Sequence, residues 1–319
     1  MARASEFDLI GRYLADRGAR RDDVVLGVGD DAAVFAGDDR PLLMALDTLV
    51  EGVHFPADLP AEWVGHRALA VNLSDIAAMG GEPCWALLGL TLPEADEAWV
   101  KAFADGLDAL AQRHAVALTG GDVTRGPLSI SVQIAGHANG PVLRRDGAAC
   151  GDRVWVSGRP GDAMGGLAVW QDPAQRDRSR WQGLQHAFVA PQPRIALGQA
   201  LAGIASAAID VSDGLVADVG HIARRSGVAI ALRAAACRPS ARLRHWLGDT
   251  AAQQTLLAGG DDYELCFTAP TGADAAVLRA ARASRTAVRC MGEVGRGEGV
   301  WLDGEALTGD AAGYRHFSD

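Results

Sequence analysis

Ala208-Ile209-Asp210-Val211-Ser212-Asp213-Gly214-Leu215 is the stretch on which the fold class turns. Its first four residues suit a buried strand, and Ser212-Asp213-Gly214 is turn chemistry. An apolar stripe at helical spacing then runs on to Arg225. The same strand–turn–helix order recurs along the chain. Strands are predicted over 24–28, 42–46, 85–92, 115–118 and 128–135, then over 153–156, 208–211, 228–232, 264–268 and 288–294. Helices are predicted over 60–78, 94–114, 161–170, 193–205, 215–225 and 273–283, with Ser5 placed to cap a first one. Alternation in both halves predicts an α/β (α+β) protein of two domains, divided near residue 140. A length of 319 residues also exceeds one ordinary core. Residues 172–180 are polar and unpatterned, and read as an exposed, mobile loop.

The charge balance narrows the chemistry. Thirty cations face 40 acids, for a net charge of −10, and Lys101 is the only lysine. A phosphate-loop kinase or a Schiff-base enzyme would have to use Lys101, which has no Gly-rich loop beside it. No basic stripe supports nucleic-acid binding. The five cysteines are widely spaced without a CxxC, which argues against a zinc site or a disulfide framework. The first 21 residues carry charges throughout, and the longest apolar run, Cys84–Leu92, is too short to span a bilayer. A cytoplasmic protein with no membrane partner is the expectation.

Thirty of the acids are aspartates, and six clusters of them follow short apolar strands or sit at Gly-rich turns. These are Asp30-Asp31, Asp47, Asp75, Asp122, Asp210 with Asp213, and Asp261-Asp262. Short carboxylates suit Mg²⁺, which shares its coordination with phosphate oxygens and water. Glycine beside an aspartate lets backbone approach a phosphate closely. Taken singly, Asp75 and Asp213 read as helix caps, and Gly120-Gly121-Asp122 as a turn. Two echoes also appear, Asn72–Ile76 with Asp210–Gly214, and Gly120–Asp122 with Gly259–Asp262.

Six segments together resemble the thiamine-monophosphate kinase family. They are Gly27–Ala33 (GVGDDAA), Asp47–Phe55 (DTLVEGVHF), Asn72–Gly80 (NLSDIAAMG), Gly120-Gly121-Asp122, Asp210–Leu215 (DVSDGL) and Gly259–Leu265 (GGDDYEL). They occur in the family's order and span residues 27 to 265, and Gly313–Phe317 fits as well. The resemblance implies the aminoimidazole ribonucleotide synthetase-like fold. Residues 1–140 would form an ATP- and Mg²⁺-binding domain whose sheet builds a barrel across a homodimer. Residues 141–319 would form an α+β domain completing the nucleotide and substrate cleft. The implied reaction is direct, in-line, Mg²⁺-dependent transfer from ATP to thiamine monophosphate, giving thiamine diphosphate, with several Mg²⁺ ions.

Carried over by position, Asp30, Asp47, Asp75, Asp122, Asp210 and Asp213 are implied metal ligands, with Asp30, Asp75 and Asp210 central to catalysis. Gly121, Asp122, Arg145 and Ser212 are implied to touch ATP, Arg145 as a guanidinium fork. His54, Asp261 and Tyr314 are implied on the thiamine phosphate side, with Phe317 as the alternative aromatic. Three departures stand out. Ala45-Leu46 replaces the family's hydroxyl residues before Asp47. Ala104 occupies a helix position that is often aromatic. Gly-Asp-Asp replaces Gly-Glu-Asp at 260–262. The competing readings are another ATP-using enzyme of the superfamily, or a nucleotide-binding regulator without turnover. A selenophosphate synthetase would need an N-terminal Cys or Sec with a nearby Lys, and no cysteine precedes Cys84.

Overall fold

The computed structural model describes residues 6–28 and 32–307, which separate into two compact units. One holds the chain up to Ile76 together with Gly81–Asn139; the other holds Ala77–Gly80 and the chain from Gly140 onward.

In the first unit a short helix α1 (Glu6–Leu9) widens into a π-turn over Ile10–Leu14. Strands β1 (Val24–Leu26) and β2 (Val34–Phe35) pair antiparallel. Then come β3 (Leu42–Val50), α2 (Ala61–Ala78), β4 (Gly81–Leu92), α3 (Glu97–Arg113), β5 (Ala117–Arg125) and β6 (Ser129–Ala138). Asp96 caps α3, accepting from the amides of Ala98 and Trp99. The four-stranded sheet runs β3-β6-β4-β5; β4 and β5 are parallel and joined by α3, and the other pairs are antiparallel. Period-two alternation buries Leu43 and Leu49 of β3 and exposes Leu42, Met44 and Leu46. The two helices cross closely, because a Cβ on Gly65 would lie 2.0 Å from the Phe103 carbonyl oxygen and one on Gly106 1.9 Å from that of Glu62. Ala104 and Phe103 are fully buried at this crossing, so a larger side chain at 104 would enter core, not open space.

The second unit contains β7 (Arg153–Ser157), α4 (Asp162–Gln171), α5 (Gln182–Val189), α6 (Ile195–Leu201), β8 (Ala207–Val211), α7 (Leu215–Ser226) and β9 (Ala229–Leu232). It continues with α8 (Ala241–Leu247), α9 (Asp249–Ala258), β10 (Glu264–Ala269), α10 (Asp274–Ala283), β11 (Val288–Gly295), β12 (Gly299–Leu302) and β13 (Glu305–Ala306). Seven strands form one sheet in the order β13-β12-β9-β11-β7-β10-β8. Its core joins Val154 and Val156, Ile209 and Val211, and the α7 face of Leu215, Val219 and Ile222. Strand–helix alternation does not make this sheet parallel. β10 lies antiparallel between β7 and β8, and only β9 and β12 pair in parallel. The strand ends therefore do not all open on one edge, and α+β describes this unit.

Residues 172–180 are exposed as expected but are fastened at both ends. Arg176 lies 3.7 Å from the centre of the Trp170 ring, and Gln175 accepts hydrogen bonds from Trp181 and Arg180. Cys84, Cys237 and Cys266 are buried core residues, and all five cysteines are free thiols. Burial pushes the Cys237 thiol up to about 11. Among the described residues no helix is long and apolar enough to cross a membrane. Lys101, the sole lysine, pairs with Asp105 one turn away on α3, where it serves the helix surface.

Candidate active site

In the first unit, Asp47 lies within β3 and Asp75 within α2, so Asp75 is not a helix cap. Asn72 joins the two elements. Its side-chain oxygen accepts from the Asp47 amide at 3.1 Å, and its amide nitrogen donates to the Ala68 carbonyl at 2.9 Å. Asp75 stands three residues on, on the same helical face, so the Asp47 and Asp75 positions adjoin. His54 occupies the turn after β3, where its Nδ1 accepts from the Val50 amide at 2.9 Å. That bond places the proton of a neutral ring on Nε2 and makes this nitrogen the donor.

Asp122 stands elsewhere. Gly120–Asp122 is not a turn but the middle of β5, across a bulge that shifts register by one residue. A Cβ on Gly121 would meet the Leu88 carbonyl oxygen at 1.9 Å, so glycine lets β5 close on β4. Asp122 is exposed, in register with Gly89, and Gly89 with Ser131, which bonds Thr48 on the outer face of the sheet. Asp47 pairs with Val132, one row along on the helix-covered face. Three strand spacings, roughly 14 Å, separate β3 from β5. The structure thus gathers Asp47 with Asp75 and leaves Asp122 at the opposite edge. Leu46, in place of a hydroxyl residue, points to the outer face and is 61% exposed. Asp30 and Tyr314, with Phe317 and Ser5, lie outside the described residues.

In the second unit, motifs some fifty residues apart in the chain come together. The Asp261 amide donates to the Ser212 carbonyl at 2.7 Å, and the Tyr263 amide to that of Val211 at 2.8 Å. Glycine permits this approach, since a Cβ on Gly260 would lie 2.3 Å from the Ser212 carbonyl oxygen. Asp261 and Tyr263 adopt φ of +71° and +50°, conformations that most side chains resist. Asp262 between them is buried and turned inward, accepting from the amides of Gly161 and Ala163. Burial raises its pKa well above the ordinary carboxylate range. Of the two acids in Gly-Asp-Asp, Asp262 is structural and Asp261 is the half-buried one beside Ser212.

Asp210 ends β8, only 5% exposed. Asp213 does not cap α7: the cap residue is Gly214, which has no side chain. The three amides of this turn instead converge on Asp218, inside the first turns of α7, at 3.0, 3.0 and 3.1 Å from Ser212, Asp213 and Gly214. Burial, then the negative charges of Asp210 and Asp213, push the Asp218 carboxyl up to about 7. Sequence reasoning missed both Asp218 and Asn72, since each acts on backbone amides. Arg145 is exposed, and among the described residues no carboxylate pairs with its guanidinium; its charge, after burial and Arg224, lowers the pKa of His221 on α7.

The two echoes are not structural. Asn72–Ile76 is helix interior whereas Asp210–Gly214 joins a strand to a helix, and Gly120–Asp122 is strand whereas Gly259–Asp262 is loop.

These acids fit a hard divalent cation: they offer oxygen donors only, and in the second unit they repel each other when no cation is bound. Among the described residues no three acids, histidines or cysteines form a closed metal cage. Mg²⁺ takes one or two carboxylates and shares its remaining positions with phosphate oxygens and water.

A family model described as AIR synthase related protein, N-terminal domain, matches residues 29–138. The thiamine-monophosphate kinase of Salmonella typhimurium strain LT2 is 43% identical over 319 residues, covering 98% of each chain. The crystal structure of thiamine-monophosphate kinase from Stenotrophomonas maltophilia K279a is 46% identical, with a TM-score of 0.88 over 96% of this chain and 99% of that one. AaThiL complexed with AMPPCP and TMP is 33% identical, with a TM-score of 0.80 over 91% of this chain and 92% of that one.

Proposed function

The chain belongs to the thiamine-monophosphate kinase family, and from that premise we infer that it transfers the γ-phosphoryl group of ATP to thiamine monophosphate, giving ADP and thiamine diphosphate. The observation that carries this reading is identity above 40% over nearly the whole length of curated kinases. A relative bound to AMPPCP and TMP supports the two substrates.

The residues divide the work by chemistry. Asp30, Asp47, Asp75, Asp122, Asp210 and Asp213 would hold several Mg²⁺ ions, Asp122 at a position apart from Asp47 and Asp75. When bound, these ions neutralise and orient phosphate oxygens. Arg145 presents a guanidinium fork to phosphate, a task that the lone lysine on α3 does not take. Ser212 would also contact the nucleotide, and Gly121 keeps β5 close-packed next to Asp122. His54 donates its Nε2 proton to the acceptor phosphate. Asp261 lines the pocket for the cationic thiamine rings, with Tyr314. An oxygen of the acceptor phosphate forms the new bond to the γ-phosphorus as the bond to the departing ADP oxygen breaks. That oxygen is already ionised near neutral pH, so no general base is needed; positioning and electrostatics carry the rate. The test is incubation with ATP, Mg²⁺ and either thiamine monophosphate or free thiamine. Thiamine diphosphate is expected from the monophosphate. Its absence there, or its formation only from free thiamine, overturns the reading.

A homodimer through the N-terminal sheet is part of this proposal, with a cytoplasmic setting that accords with five free thiols. Leu42, Met44 and Leu46 project from one face of β3 at 53%, 61% and 61% exposure, an apolar row that a second copy would cover. The double substitution Met44→Glu, Leu46→Glu is expected to give a monomer by analytical ultracentrifugation. A dimer that survives it removes this face from the interface.

A further inference from the structure

We propose that Asp218 is a positioning residue of the phosphoryl-transfer site, one carboxylate oxygen gathering three successive amides and fixing the Ser212-Asp213-Gly214 segment. The proposal rests on the functional reading above for the task of Ser212 and Asp213, and on geometry for the clamp itself.

The geometry is unusual for a helix start. The α7 cap residue is glycine, so the cap position offers no side chain to hold the turn's amides. Asp218, four residues into the helix, reaches back instead, and all three bonds end on its Oδ2. Its own amide donates to the Gly214 carbonyl at 3.0 Å, so the segment is held at two levels. Gly214 has φ of +127°, and a Cβ there would lie 2.7 Å from the Ala258 carbonyl oxygen. The turn therefore has little room to shift, and Asp218 sets the direction of its amides.

Three successive amides at a strand–helix junction make a cradle of the kind that elsewhere takes a phosphate. Here the chain fills that cradle with its own carboxylate. A nucleotide phosphate is thereby excluded from it and left to Arg145, the Ser212 hydroxyl and bound cation. The clamp also reaches the facing motif, because the Ser212 carbonyl receives the Asp261 amide. Asp218 thus acts through the residues on either side of the turn.

Two substitutions separate the acceptor from the charge. Asp218→Ala is expected to lower kcat about 100-fold, the scale of a small misplacement of reacting groups, with partial recovery on adding formate to refill the cradle. Asp218→Asn keeps an acceptor oxygen and is expected to retain kcat within about tenfold of the wild type. Hydrogen exchange at the Ser212–Gly214 amides, read in each variant, is expected to speed up in Asp218→Ala only. Asp218→Asn as inactive as Asp218→Ala, with both folded, would show that the charge is what matters and overturn the proposal. Unchanged amide protection in Asp218→Ala overturns it as well. If the wild-type protein makes no thiamine diphosphate, the functional reading fails, and the exchange experiment still decides whether Asp218 clamps the turn.

Discussion

Asp210→Asn is expected to lower thiamine diphosphate formation about a thousandfold, the scale on which preorganised electrostatic groups act, while raising the melting temperature of the metal-free protein. The two effects have one cause. Asp210 is 5% exposed at the end of β8, and its charge helps to force the Asp218 carboxyl upward. Deleting one of three crowded acids relieves the part of that shift that charge repulsion adds to burial. Under the proposed function, the same deletion also removes a ligand for Mg²⁺. Stability gained with activity lost is the usual signature of a site built against its own folding preference. Thermal melts with and without Mg²⁺ separate this from simple damage. The wild-type protein is expected to gain more from Mg²⁺ than Asp210→Asn does. Asp75→Asn, in the other unit, is expected to abolish turnover likewise without unfolding. Near-normal turnover of either variant at low Mg²⁺ would remove these aspartates from the metal set.

The parts of this arrangement legible in the sequence are those written in side-chain pattern. Ala208–Leu215 reads as strand, turn and helix because its apolar period changes across Ser212–Gly214, and the structure follows it closely. Asp75 taken singly reads as a cap, yet the helix read over 60–78 already encloses it, and the structure follows the helix, which is buried nearly all round. Gly120-Gly121-Asp122 reads as a turn because two glycines break most strands; the bulge against β4 is a long-range pairing that local sequence does not encode. The α8 and α9 helices passed unread for a related reason. Residues 241–258 mix Ala, Arg and Gln with too sparse an apolar stripe; the Ser240 cap and packing in the cluster of Trp181, Leu184, Leu243 and Ala252 support the helices. Asn72 and Asp218 are not legible because their partners are main-chain groups: Asp218 meets the amides of Ser212–Gly214 only once the turn has formed, and Asn72 meets the Asp47 amide only in the tertiary structure. The antiparallel course of the second sheet has the same origin: alternation of elements constrains their order, not the direction in which strands pair.

Arg194→Met is expected to destabilise the protein by about 3 kcal/mol, the scale on which a buried carboxylate loses its ion partner. Glu264 opens β10 with 7% exposure. Its two oxygens accept from Arg194 Nε at 2.6 Å and Nη2 at 2.5 Å, a bidentate pair, and Ser157 donates to the same carboxylate. The Ser157 hydroxyl in turn accepts from the Leu265 amide at 2.8 Å. Space around the pair is closed, for a Cβ on Gly158 would fall 1.7 Å from Glu264 Oε1. The double substitution Arg194→Met, Glu264→Gln is expected to recover much of the loss, because the cost lies in the orphaned charge more than in the missing contact. Urea unfolding of the two single variants and the double variant measures this directly. The consequence for function follows from chain order. Glu264 comes directly after Tyr263, so the pair anchors the far end of a turn whose residues Asp261 and Tyr263 hold positive φ. Such conformations persist only where their surroundings over-determine them, and here the Val211 and Ser212 carbonyls hold one side while Arg194 holds the other. Loosening the Arg194 side is expected to raise KM for thiamine monophosphate more than KM for ATP, since the proposed function puts Asp261 on the substrate side and Ser212 on the nucleotide side. A single variant as stable as the wild-type protein would show that the Glu264 carboxylate finds another partner, and the anchor would then have to be sought in Ser157.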